Sequence, residues 1–163
     1  MTRTPAKNAI VLFDFNLRSL ASLLIALVTK SRWSHAAVLV DGVLYDASET
    51  REKFGRSDIK LDSTRGCTIW HLPDDCTGAL THWVGCNTHR RYDWPGVILW
   101  VLGVHRPDRW YCFEAAMAAL HYAGIVKKVE CKGSISANDL NETLNEKLLG
   151  HDYSGPLNLW SKY

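Results

Sequence analysis

The sequence predicts an α+β fold, an antiparallel sheet packed on helices, and three features carry that expectation. Asp41-Gly42 is a two-residue hairpin signal between the apolar runs 36–40 and 43–47. In 17–29, Leu20, Leu23, Leu24, Leu27 and Val28 recur at helical spacing. From Tyr111 to Ala123 the chain is alanine-rich, with Phe113, Ala116, Met117 and Leu120 on one face and Gly124 as its stop.

The remaining elements follow in chain order. The run 10–15 is short and apolar and reads as a first strand. His35 then opens one strand of the hairpin, and Asp46 lies near the end of the other. Residues 49–62 are charged and read as a loop. Residues 67–72 read as a third strand. Asp74-Asp75 can start a helix, since carboxylates favour its positive end, and that helix would run over 77–90. The apolar stretch 94–104 carries Pro95 near its start, where proline is tolerated. A strand is expected over 126–131. A last helix is expected over 136–149, with Ser136 or Asn138 as its cap. The tail from His151 is rich in turn residues.

With 163 residues, 47% of them hydrophobic and 22% charged, the chain is expected to form one domain, 1–163, around a core of its own. A net charge of +2 gives no electrostatic reason for a nucleic-acid partner. The run 20–28 is too short to span a bilayer, which takes roughly 20 residues, so no integral membrane segment is expected. No secretory signal is evident, because Asp14, Asn16 and Arg18 interrupt the N-terminal apolar run. The expected location is therefore the cytoplasm. The five cysteines are odd in number and irregular in spacing, with no C-x-x-C, so they read as reduced thiols. His71, His82, His89, His105, His121 and His151 have no partner at metal-ligand spacing, and neither a metal nor a cofactor is expected.

Cys112 stands out by position. It follows a loop and opens a helix, where the electropositive terminus favours a thiolate and free N–H groups can hold an oxyanion. The bland alternative is a buried, inert thiol. His35 has small neighbours, Ser34 and Ala36, that leave room for its ring. A lone histidine at a strand end is commonly structural, but the hairpin brings Asp46 onto the adjoining strand, where a carboxylate can fix the imidazole tautomer. Ser48 and Glu49 are weaker choices for that orienting role.

These residues resemble a known superfamily. The segment from Ser34-His35-Ala36 to Tyr45-Asp46-Ala47 is similar to the histidine hairpin of NlpC-type cell-wall hydrolases. Trp110-Tyr111-Cys112-Phe113-Glu114 resembles the aromatic-Cys-Ser-Glu nucleophile motif of the permuted branch. Tyr92-Asp93-Trp94 and Ser136-Ala137-Asn138-Asp139-Leu140 are compatible with it too. The order His35, Asp46, Cys112 puts the cysteine last, which is the circular permutation shared by YiiX-like and lecithin–retinol acyltransferase-like proteins. The likeness spans about residues 10 to 145. It departs at Phe113, which replaces a serine, at Asp46, an unusual third residue, and at Lys7-Asn8, where Gly-Asp is common.

The resemblance implies a permuted papain-like (NlpC-type) fold and a cysteine peptidase or amidase working through a thioester. Cys112 would be the nucleophile, His35 the base and Asp46 the orienting residue. Tyr111, Phe113, Glu114, Ser34 and Trp110 would form the substrate or oxyanion pocket. The expected substrate is a peptide of peptidoglycan type. The alternatives are a lipid-directed thioesterase or acyltransferase taking an acyl substrate, and a catalytically inactive binding domain. A cell-wall enzyme without an export signal implies a phage-encoded protein, carried in a virion or released at lysis.

Overall fold

Strand β1 (Ala9–Asp14) lies inside the sheet between β2 (Trp33–Val40) and β5 (Cys67–His71), antiparallel to both. Successive strand residues point to opposite faces. Accordingly Ile10 and Leu12 enter a large core, while Ala9, Val11 and Phe13 enter a smaller one. A strand buried on both faces reads as an unbroken apolar run, which is how 10–15 reads in the sequence. The protein is described here by a computed structural model over residues 6–16, 20–59, 66–98, 108–127, 135–148 and 151–154.

The sheet runs β7-β6-β4-β3-β2-β1-β5-β8. Its other strands are β3 (Val43–Ser48), β4 (Lys53–Arg56), β6 (Arg91–Tyr92), β7 (Arg109–Trp110) and β8 (His151–Ser154). All neighbours are antiparallel except β6 and β7. The helices are α1 (Leu20–Thr29), α2 (Thr77–Asn87), α3 (Trp94–Ile98), α4 (Cys112–Tyr122) and α5 (Ala137–Lys147). A 3₁₀ turn at Asp74–Cys76 leads into α2. Leu80, Trp83, Leu120, Leu140 and Leu144 bring α2, α4 and α5 onto the large core.

The hairpin turns where the sequence predicts. Asp41 and Gly42 have φ of 48° and 76°, the paired positive values of a type I′ turn. Asn8, 1% exposed, secures the tip. Its Oδ1 accepts from the Asp41 N–H at 3.2 Å, and its Nδ2 donates to Thr77 Oγ1 at 2.6 Å. That turn sets the β2–β3 register, with Ala37 opposite Asp46.

Four strands are not anticipated by the sequence: β4, β8 and the two-residue β6 and β7. Residues 53–56 lie in the stretch read as a loop, yet form β4. Phe54 is fully buried there, edge-on to Trp83 at 5.1 Å, and its polar neighbours Lys53 and Arg56 hide a single apolar anchor from any pattern search. The His-Asp-Tyr-Ser stretch of β8 has weak strand propensity, and pairing with β5 decides its conformation. Of the strand expected over 126–131, Val126 and Lys127 lie in no strand, and the rest falls outside the described residues, as does 99–104.

Helix α5 begins as the sequence predicts, at Ser136. Ser136 Oγ accepts from the Asp139 N–H at 3.1 Å, and Asp139 Oδ2 accepts from the Ser136 N–H at 2.7 Å, a reciprocal capping box. Replacing Ser136 by alanine should lower unfolding free energy by about 1 kcal/mol in urea denaturation. An unchanged midpoint would mean that the cap contributes nothing.

Candidate active site

The hairpin places His35 on β2 two residues before Ala37, the residue opposite Asp46, so His35 and Asp46 lie on the same side of the ribbon. His35 Nε2 and Asp46 Oδ2 are 2.7 Å apart. Strand β2 starts two residues earlier than expected, at Trp33, which puts His35 inside the strand and its ring at a tilt to Phe13, with centroids 5.9 Å apart. The histidine side chain keeps 16% exposure and the aspartate 3%.

A buried carboxylate needs partners for both oxygens. The second oxygen of Asp46 is bound by the Arg51 guanidinium, which also donates to the Asp46 carbonyl at 3.2 Å. Arg51 pairs in addition with Asp58 at 3.2 Å. Neither Arg51 nor its role is evident in the sequence, where it lies in a charged stretch among other ions.

Cys112 is the first residue of α4, with Tyr111 in extended conformation as its N-cap. Tyr111 is held by its hydroxyl, which donates to the Ile135 carbonyl at 2.7 Å. The N–H groups of a helix's first turn have no intrahelical acceptor. Glu114 satisfies one of them by accepting from the Tyr111 backbone. That leaves the first-turn N–H groups of Cys112 and Phe113 beside the sulfur. Burial, and to a lesser extent the charge of Asp93, push the Glu114 carboxyl up to about 8, against the opposing effect of its bond to Tyr111.

The imidazole faces Cys112 as well as Asp46. Burial alone would lower the His35 pKa. The Cys112 charge, the Asp46 hydrogen bond, a hydrogen bond to Cys112 and the Asp46 charge together outweigh burial, and raise the imidazole from 6.5 to about 9. The three distant side chains singled out in the sequence are thus neighbours in space.

Tyr92 completes the group. Strand β6 pairs in parallel with β7, setting Tyr92 beside Trp110, two residues before Cys112. The phenol is 4% exposed, and its pKa is raised well above 10, first by burial and then by the charges at Cys112, Glu49, Asp46 and Asp93. It therefore stays a proton donor at the wall of the adjoining cleft. Asp93, fully buried, starts α3 by accepting from the Gly96 N–H at 3.1 Å, and a methyl group at Gly96 would collide with its carboxylate.

A cleft of about 300 Å³ opens beside this group. His35, Asp46, Tyr92 and Ser34 form part of its wall, with Ser34 bonded to Ser22 of α1 at 2.5 Å. Of the expected pocket residues, Ser34 alone lines it. Phe113 turns into the large core at 2% exposure, Tyr111 and Glu114 are buried beneath the helix terminus, and Trp110 packs on Trp83 under the Arg90 guanidinium. Cys112 is only 2% exposed and is not a wall residue, so its link to the cleft runs through His35 and Tyr92. The sequence points to a more open thiol at the helix tip. Cys112 is instead part of the large core, together with Tyr92 and Tyr111, and that accounts for the difference.

A pH dependence of stability follows from the raised His35 pKa. The imidazolium favours the fold fully below 6.5, and that contribution is lost as pH rises through about 9. The stability gap between wild type and His35→Gln, measured in urea at fixed salt, should therefore shrink from pH 6.5 to 9. In Asp46→Asn the imidazole titration followed by NMR should move down from about 9. An unmoved titration would mean that Asp46 does not stabilise the imidazolium.

No family model matches the chain, and no curated protein matches it significantly. A solved structure does: the metalloprotein YiiX from Escherichia coli O157:H7 (DUF1105), with a TM-score of 0.59 and 18% identity, covering 93% of this chain and 90% of that one. Among the described residues here, no group of three or more His, Cys, Asp or Glu side chains could hold a metal ion. No described helix is long and apolar enough to cross a membrane. The likeness extends over nearly the whole chain and concerns the backbone: this protein has the mixed α+β architecture of the YiiX-like fold.

Proposed function

We propose that the protein is a cysteine hydrolase that cleaves an amide bond through a thioester, with Cys112 as nucleophile, His35 as acid and base, and Asp46 as the residue that orients the imidazole. The observation that carries this reading is the 2.7 Å contact between His35 Nε2 and Asp46 on an imidazole that also faces the first residue of α4. With Nε2 held by Asp46, Nδ1 is the nitrogen left for the thiol proton.

With His35 already protonated, Cys112 reacts as the thiolate of that pair, and the sulfur attacks the carbonyl carbon. The Cys112 N–H and the Tyr92 hydroxyl donate to the oxygen as it gains charge. The imidazolium gives its proton to the amide nitrogen, the C–N bond breaks and the amine leaves. His35, now neutral, takes a proton from water, which attacks the thioester, and the sulfur departs to regenerate the resting pair.

The cleft supports a polar substrate. Its walls carry Asn16, Ser48, Thr50 and Glu49, with Ile25 and Ile59 as the aliphatic residues. That suits a peptide better than an acyl chain. A peptidoglycan stem peptide is the substrate class that the His35 hairpin and the Cys112 motif suggest by resemblance.

Hydrolysis of muropeptides and of small model amides by wild type and Cys112→Ala is the test. Turnover should fall by about 10³-fold or more in the mutant, with an unchanged circular dichroism spectrum. In wild type the rate should decline as pH rises through about 9, where the imidazolium loses its proton. Equal turnover in Cys112→Ala would overturn the proposal.

A further inference from the structure

Glu49 follows directly after β3, at the cleft wall that holds Asp46 and Ser48. It is half-buried, and among the described residues its carboxylate makes no hydrogen bond or ion pair. The other charges around the cleft are matched. Asp46 lies between His35 and Arg51, and Arg51 also answers Asp58, whose side chain is 79% exposed. Among the described residues, no lysine or arginine lines the cleft. A half-buried carboxylate facing a cleft without a counter-charge is a position that an incoming cation would stabilise.

Three further observations locate that cation. Glu49 shares the cleft wall with Tyr92 and with His35, whose imidazole faces Cys112. Ser48 and Thr50, on either side of Glu49, also line the cleft and are bonded to each other through their hydroxyls at 2.8 Å. An ammonium carries three donors, and a carboxylate with two hydroxyl oxygens offers acceptors for all of them. Ile25 and Ile59 provide apolar wall for the carbon chain that bears it.

We infer that Glu49, with Ser48 and Thr50, forms a subsite for a primary ammonium group of the substrate, close to the carbonyl that Cys112 attacks. Resting on the hydrolase reading above, this narrows the substrate class to amides that carry a free amine near the scissile bond. Glu49 is then a specificity-determining residue, and it acts on substrate binding rather than on the proton transfers.

The test uses the Cys112 thiol as reporter, in a Cys86→Ser background because Cys86 is exposed. The probes are 2-aminoethyl methanethiosulfonate, which is cationic, and its neutral ethyl analogue. In each case the thiolate displaces methanesulfinate and forms a mixed disulfide. The rate ratio at Cys112, read by peptide mass spectrometry, is normalised to the ratio for a small neutral thiol. Wild type should favour the cationic reagent roughly tenfold, and the preference should weaken in 0.5 M salt. Glu49→Gln should reduce it to about twofold, with Asp58→Asn changing it less. An equal ratio in wild type and Glu49→Gln, or a larger effect of Asp58→Asn, would overturn the subsite and leave the hydrolase reading standing. Failure of both reagents at Cys112 would overturn the hydrolase reading and the subsite with it.

Hydrolysis of peptides acetylated at the N-terminus or at a lysine side chain then distinguishes the two sources of the ammonium. One acetylation should lower kcat/KM about tenfold in wild type, and not in Glu49→Gln. An effect of neither contradicts the subsite.

Discussion

The site depends on a buried carboxylate held between two cations. Asp46 sits at 3% exposure with His35 on one oxygen and Arg51 on the other. Left with neither partner, such a charge would be costly in the interior, and removal of one partner of a buried pair typically costs about 3–5 kcal/mol. The same contacts fix three pieces of chain relative to each other: the imidazole strand, the carboxylate strand and the turn after β3. The type I′ turn at Asp41-Gly42 makes this possible by setting Asp46 opposite Ala37. A slip of one residue would turn Asp46 to the other face of the sheet, away from His35.

A second framework delivers the thiol. The parallel pairing of β6 with β7 brings Tyr92 and Asp93 alongside Trp110, and α4 starts two residues later. Glu114 ties the first turn to the Tyr111 backbone, and Tyr111 is anchored in turn on Ile135. Cys112 is therefore held on a rigid helix end rather than on a loop. Burial of that end has two consequences. It strengthens the electrostatic coupling among Cys112, His35 and Tyr92, and it keeps the sulfur off the cleft wall.

Much of this was legible in the sequence where local chemistry decides structure. Asp41-Gly42, the Ser136 cap and the alanine-rich α4 each have a short-range physical cause, and the hairpin was enough to suggest that His35 and Asp46 meet. What the sequence leaves hidden depends on long-range pairing. Strand β4 hangs on a single buried Phe54 between charged residues. Arg51 becomes a partner of Asp46 only once β3 and the following turn are folded. Tyr92 belongs to the site because a two-residue strand pairs with another far along the chain. Phe113, next to the thiol in sequence, faces the core because helix geometry separates adjacent residues by about 100°.

The most direct measurement of the central claim is the rate at which iodoacetamide alkylates Cys112 at pH 6.5, in a Cys86→Ser background, with His35 present and with His35 replaced by alanine. If the Asp46-held imidazole takes the proton of the thiol, wild type should react readily at this pH, and the His35→Ala rate should fall by roughly tenfold or more. Equal rates in the two proteins, or a Cys112 inert in both, would contradict the account.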